Sequence, residues 1–197
     1  MSDEFDIDDE PCECCGTTDQ RDAYARRKLH RSLRGQTLYL WDLGPSTDAG
    51  PSGLWASNVH WLAPASVVAD LLAWWNLPLA PGVYEVTEDR VEPSERTAPS
   101  VEKVNAILRP PSPAPLSLRR VAGAPMCALT EFSTCAVFGK NVPVLLNVEY
   151  LDTVVPGWRE GAGYTAEHES GKPLSQVVFR NADGSIVACV MPVRYRA

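Results

Sequence analysis

Seven of the eight residues from Ile186 to Val193 are apolar, Pro192 sits inside the run, and the only charges follow it, at Arg194 and Arg196. The ends of protein chains ordinarily fray, so a terminal stretch this apolar is expected to be a strand docked into the rest of the molecule. Any fold for this chain must supply the place where it docks.

The chain of 197 residues, 45% hydrophobic and 22% charged, is long enough for one large domain or two compact ones. No apolar run approaches the roughly 20 residues of a membrane span. The opening Met-Ser-Asp-Glu-Phe-Asp-Ile-Asp-Asp-Glu is acidic where a secretory signal is basic and then apolar. A cytoplasmic protein with no membrane partner is expected. The net charge of −7 argues against coating nucleic acid over the whole surface but leaves room for a local basic face.

Residues 1–18 read as a flexible acidic leader. A helix is expected over 19–35, with Asp19 as cap, Ala25, Leu29 and Leu33 as its apolar stripe, and Gly35 as its stop. Arg27, Arg31 and Arg34 fall opposite that stripe with Lys28 beside them, so one face of the helix is basic. Residues 36–44 and 53–62 each read as a strand. A helix follows in which Pro64 takes a first position and Val68, Leu71, Leu72 and Trp75 form the buried stripe. Residues 82–91 read as a strand or hairpin. Glu92 to Ser117 is a proline-rich connector that carries a short helix, with Lys103 and Arg109 near it. Beyond it come strands at 116–121, 128–139 and 142–147, a helix capped by Asn147 and stopped by Pro156-Gly157, and three closing strands. The order strand, helix, strands occurs twice, around residues 61–75 and 144–158. This predicts an α+β protein with repeated β-α-β-β units and helices covering one face of antiparallel sheet.

The closing Val-Ala-Cys-Val-Met-Pro-Val-Arg resembles the end of bacterial sliding clamps, the β-subunit family of DNA polymerase III, whose last strand closes on Met-Pro-apolar-Arg. Residues 98–108, 147–155 and 170–185 resemble, in order, the entry to the clamps' final domain, its helix-opening segment and the stretch before its last strand. The resemblance implies a DNA-clamp-like fold, with a shortened N-terminal domain at 19–96 and a C-terminal domain at 97–197. The helices near 100–108 and 147–155 would lie side by side on one face. It implies sequence-independent contact with duplex DNA through Arg27, Lys28, Arg31, Arg34, Lys103 and Arg109. It also implies a groove formed by Val190, Met191, Pro192, Val193 and Arg194 that takes short linear peptides of a DNA polymerase or repair protein. A processivity factor acting as a homo-oligomer follows. Clamp subunits of this family have three domains, so at most two are expected here. The competing expectation is a clamp-fold interaction protein that forms no ring and acts as decoy or inhibitor of a replication factor.

Other chemistry finds little support in the residues. Cys12, Cys14 and Cys15 are close enough to suit zinc, but no second Cys or His pair follows at finger spacing, and His30, the nearest candidate, belongs to the basic helix. No metal and no cofactor is expected. Cys135 or Cys189 with His60 or His168 and Asp152 makes a nucleophile and base on paper, without any local signature, and no enzyme is expected. The six tryptophans, concentrated between residues 41 and 75, sit on apolar stripes without interleaved basic residues. They are expected in core and interface rather than stacked on bases.

Overall fold

Period-two alternation sorts the side chains of each strand between two cores. In β1 (Gln36–Asp42) Leu38 and Leu40 enter one, and Tyr39 and Trp41 lie in the other. The same alternation separates Ala56 from Trp55 in β2 (Leu54–Ser57), and Trp61 and Ala63 from Leu62 in β3 (Trp61–Pro64). The computed structural model describes residues 18–44, 53–109, 111–116, 135–138, 144–155, 157–158, 163–172 and 174–193. Cys12, Cys14, Cys15 and Arg194 lie outside the described residues, as do most of the acidic leader, the stretch from Ser117 to Thr134 and Pro156.

The first three strands form a meander. β4 (Gly82–Val86) returns to pair with β1, and β5 (Val91–Pro93) completes a hairpin with it. The other half of the sheet is a second meander of β9 (Thr165–Glu169), β10 (Val177–Arg180) and β11 (Ile186–Val190), edged by β6 (Pro113–Leu116). The halves join where β11 pairs antiparallel with β3, Cys189 opposite Leu62 and Val190 opposite Trp61. One nine-stranded sheet results, β5-β4-β1-β2-β3-β11-β10-β9-β6, antiparallel throughout and with strands from both sides of residue 96. β7 (Cys135–Phe138) and β8 (Val144–Asn147) form a separate pair.

The apolar run at the end of the chain is thus an interior strand. Ala188 and Val190 enter one core and Cys189 the other, which is why the sequence there is nearly continuous in apolar residues rather than alternating. Past β11 the chain keeps bonding: Met191 N donates to His60 O at 2.7 Å and Val193 N to Leu145 O at 2.8 Å, tying β8 to the large sheet.

Three helices, α1 (Thr18–Leu33), α2 (Ser66–Trp74) and α4 (Val148–Val154), share the core of Leu38, Leu40 and Val190. The α1 helix gives way at Gly35, whose φ of +72° favours glycine and whose N–H reaches Val86 O at 2.8 Å. Asn147 caps α4 by accepting from Glu149 N. The fourth helix, α3 (Val101–Ile107), departs from expectation. It does not lie beside α4 but on the opposite face, where Val104 and Leu108 pack with Trp41, Trp55, Leu62 and Cys189.

Topology explains the difference. β5 and β6 are the two edges of the sheet, so the proline-rich connector between them must cross its whole width, roughly 38 Å at about 4.8 Å per strand. One face is already covered by three helices, and the connector takes the other. It is pinned there by Ser94 N on Val83 O, Arg96 on Thr37 Oγ1, Trp41 Nε1 on Pro99 O and Gln176 Nε2 on Ile107 O.

Two local expectations also change. Residues 54–64 are a hairpin rather than one strand, because Asn58 Oδ1 accepts from both His60 N and Trp61 N and turns the chain. Pro64 closes β3 opposite Trp55 instead of opening α2, which starts at Ser66. The connector itself contributes strand residues at both ends, and β6 tolerates its prolines because it is an edge.

His30 sets a pH limit on this packing. It is 8% exposed, wedged against the rings of Trp74 and Trp75 at 6.1 and 5.8 Å, and its Nε2 has no partner among the described residues. Desolvation by burial, reinforced by Arg34, holds its pKa below the ordinary 6.5, against the opposing pull of the Thr87 and Arg90 backbone and Asp89. The unfolded chain then binds the proton more readily than the folded one. The stability that neutral His30 contributes is complete above 6.5 and is lost as pH falls through the depressed folded value. Urea unfolding from pH 7.5 to 5 should show stability falling through this range, and His30→Phe should flatten the fall.

Candidate functional site

The second face of the sheet holds a strongly apolar opening that combines residues from both halves of the sequence. β1 contributes Tyr39 and Trp41, stacked at 5.6 Å with planes 18° apart. The β2–β3 turn contributes Ser57 and Val59, β3 Leu62, and the chain around β11 Cys189 and Met191. The connector closes the other side with Pro99, Lys103, Val104 and Ile107. These residues enclose about 160 Å³. The connector crossing creates this pocket, because α3 covers the sheet at Val104 but leaves Ile107 40% exposed above the β2–β3 turn.

Of the expected groove residues that are described, Met191 alone lines the pocket. Val190 is 0% exposed and belongs to the core on the opposite face, since neighbouring strand residues point to opposite sides. Pro192 and Val193 are half-buried and lie past the pocket, where Val193 N is committed to Leu145 O. Tyr39, Trp41, Val59 and Ile107 were not foreseen as lining. The sequence signal for the first two was their i, i+2 spacing on a strand apolar on both faces, which marks a second covered face.

The six expected DNA-facing cations do not form one surface. Arg27, Lys28 and Arg31 are exposed on α1 and Arg34 just past its end, where it pairs with Glu88 at 3.1 Å. Lys103 and Arg109 belong to α3 and its end, across the sheet. The two sets therefore lie on opposite faces of the sheet. Lys28 also shares a groove of about 240 Å³ with Asp70 and Asp152, whose charges oppose a phosphate.

Of the two paper nucleophiles, Cys189 is removed by its burial. Cys189 is buried, and desolvation pushes its thiol up to about 12, so it stays protonated. Asp152 lies on α4 at the other face and accepts from Trp158 Nε1 at 2.7 Å. His60 stacks on Tyr150 at 5.4 Å, and His168 is buried in β9. Cys135 falls in β7. No group of three or more His, Cys, Asp or Glu is gathered for a metal among the described residues.

No protein-family model, curated protein or solved structure matches this chain, so the pocket has to be read from its own chemistry.

Val59 at its lip carries strain. Its φ is +78°, in the left-handed region that a β-branched residue avoids, and it is 67% exposed, so no burial of its own side chain offsets the cost. The Asn58 bonds and the Val59 N to Ser57 Oγ bond of 3.0 Å hold it there. Val59→Gly should therefore raise stability by about 1 kcal/mol, read as a higher urea midpoint. Val59→Ala keeps a Cβ in the same backbone conformation and should gain much less.

Proposed function

We infer that this protein is a docking protein that captures a short apolar segment of another protein between the sheet and α3. The observation that carries the reading is the pocket itself: a stacked Tyr39–Trp41 pair, the adaptable thioether side chain of Met191, and exposed apolar groups at Val59 and Ile107. Its volume decides the class of occupant. At about 160 Å³ it falls below the roughly 300–1,000 Å³ of small-molecule and cofactor sites, and is close to the roughly 150 Å³ cavity that takes one benzene ring. One bulky side chain, Leu or Phe, fits. The segment around it would rest on the rim, the arrangement in which a single anchor dominates binding.

Within the sequence expectations this favours the interaction protein that forms no ring. The finer reading, a sliding-clamp-type processivity factor with a DNA-clamp-like architecture, is supported by the recurrence of β3-α2-β4-β5 as β8-α4-β9-β10 in chain order. It is also supported by the exposed Arg27, Lys28 and Arg31 on a single helix. The placement of Lys103 and Arg109 across the sheet from that helix weighs against it.

Fluorescence anisotropy with a labelled peptide containing Gln followed by Leu and Phe tests the docking reading. Met191→Ala should weaken binding about tenfold, as expected for losing about 1.4 kcal/mol of partly buried contact. A folded wild-type protein that binds no such peptide at high micromolar concentration would overturn the reading. The clamp reading has its own measurement. Replacing Arg27, Lys28 and Arg31 by Ala should reduce the slope of log affinity against log salt for duplex DNA by about 3, and an unchanged slope removes the duplex from the account.

A further inference from the structure

Among the described residues, Lys103 is the one charged residue lining a pocket that is otherwise apolar and aromatic apart from Ser57. It is exposed and has no ion pair among the described residues. Its neighbour Glu102 is also exposed on α3, but adjacent residues of a helix do not face each other, and no ion pair joins the two among the described residues. An apolar cavity with a single unpaired, solvent-exposed ammonium at its mouth complements a bulky apolar group with a negative charge nearby.

That negative charge could come from the end of a peptide or from a side chain within it, and the rim discriminates between them. Sites for a chain-terminal carboxylate present free backbone N–H groups to it. Here the N–H groups around the mouth are already used: Val59 N on Ser57 Oγ, Trp61 N on Asn58 Oδ1 and Met191 N on His60 O. Only the flexible Lys103 side chain remains, and it suits a carboxylate whose position is set by the peptide rather than by the pocket.

Resting on the docking reading above, the geometry points to a more specific partner: an internal peptide segment in which a Leu or Phe anchor is followed closely by Asp or Glu, the anchor filling the pocket and the acidic side chain meeting Lys103. Three N-acetylated, C-amidated fluorescent peptides test it, identical except for Asp, Asn or Lys directly after a Leu-Phe pair, against wild type and Lys103→Glu. Wild type should bind the Asp peptide about threefold more tightly than the Asn peptide, the size of an exposed ion pair. The Lys peptide should be weakest, and the differences should shrink as salt rises from 0.05 to 0.5 M. Lys103→Glu should reverse the order of Asp and Lys. Circular dichroism of Lys103→Glu, together with Lys103→Gln, which should erase the order without reversing it, separates a charge effect from loss of fold. Equal binding of all three peptides by wild type overturns the acidic partner and leaves the docking reading standing. A preference that survives both substitutions overturns the assignment to Lys103. Failure of all three peptides to bind folded wild type overturns both.

Discussion

The pairing of β3 with β11 holds the molecule together. Two residue pairs, Leu62 with Cys189 and Trp61 with Val190, join a five-stranded half to a four-stranded half. Neither half covers its own inner edge, and an open edge lined by Trp61 on one side or Val190 on the other would expose backbone donors and apolar surface together. The bonds from Met191 to His60 and from Val193 to Leu145 extend this seam by two residues and recruit β8. Because the partners are far apart in sequence, closing the seam carries a large loop-entropy cost. It is offset by burial on both faces of β11, where Ala188, Cys189 and Val190 are all almost fully covered.

The pocket is a consequence of how the two edges are connected. The chain leaves the sheet at β5 and must re-enter it at β6, on the far side. A crossing of that length needs extended residues, and the prolines of the connector favour extension. One short helix in the middle supplies the apolar contact that holds the crossing down, through Val104 and Leu108. A seven-residue helix cannot cover a surface several strands wide. What it leaves open lies between Tyr39, Trp41 and Met191, beside the strained Val59. Connection, strain and pocket therefore belong to one arrangement, and in such arrangements exposed strain commonly serves recognition.

Charge is distributed with the same asymmetry. Residues 1–17 contain seven acidic and no basic side chains, so the net charge of −7 resides there and the remaining chain carries equal numbers of each sign. The body of the protein is thus neutral in sum, and its cations act where they stand. Those on α1 form an exposed group on the three-helix face, partly countered by Glu88, Asp70 and Asp152. Lys103 stands alone at the pocket.

Local pattern determined much of this protein. The α1 helix and its basic face, the Val68, Leu71 and Leu72 stripe of α2, the Asn147 cap, the closing strands and the need to bury residues 186–193 are all legible from residue type and spacing. Each depends on interactions within a few positions of the chain. Sequence also singled out Met191, which lines the pocket. It could not show that β11 inserts beside β3, that residues 54–64 fold back at Asn58, or that Val190 and Met191 part company to opposite sides of a sheet. Nor could it place α3. The helical pattern at 101–107 is the same whichever face it covers, and the choice was made by the edge positions of β5 and β6, which exist only once the sheet is assembled. The pocket and the separation of Lys103 from the α1 cations follow from that choice, since which residues share a face is a property of strand order, and strand order is set by pairings between residues far apart in the chain.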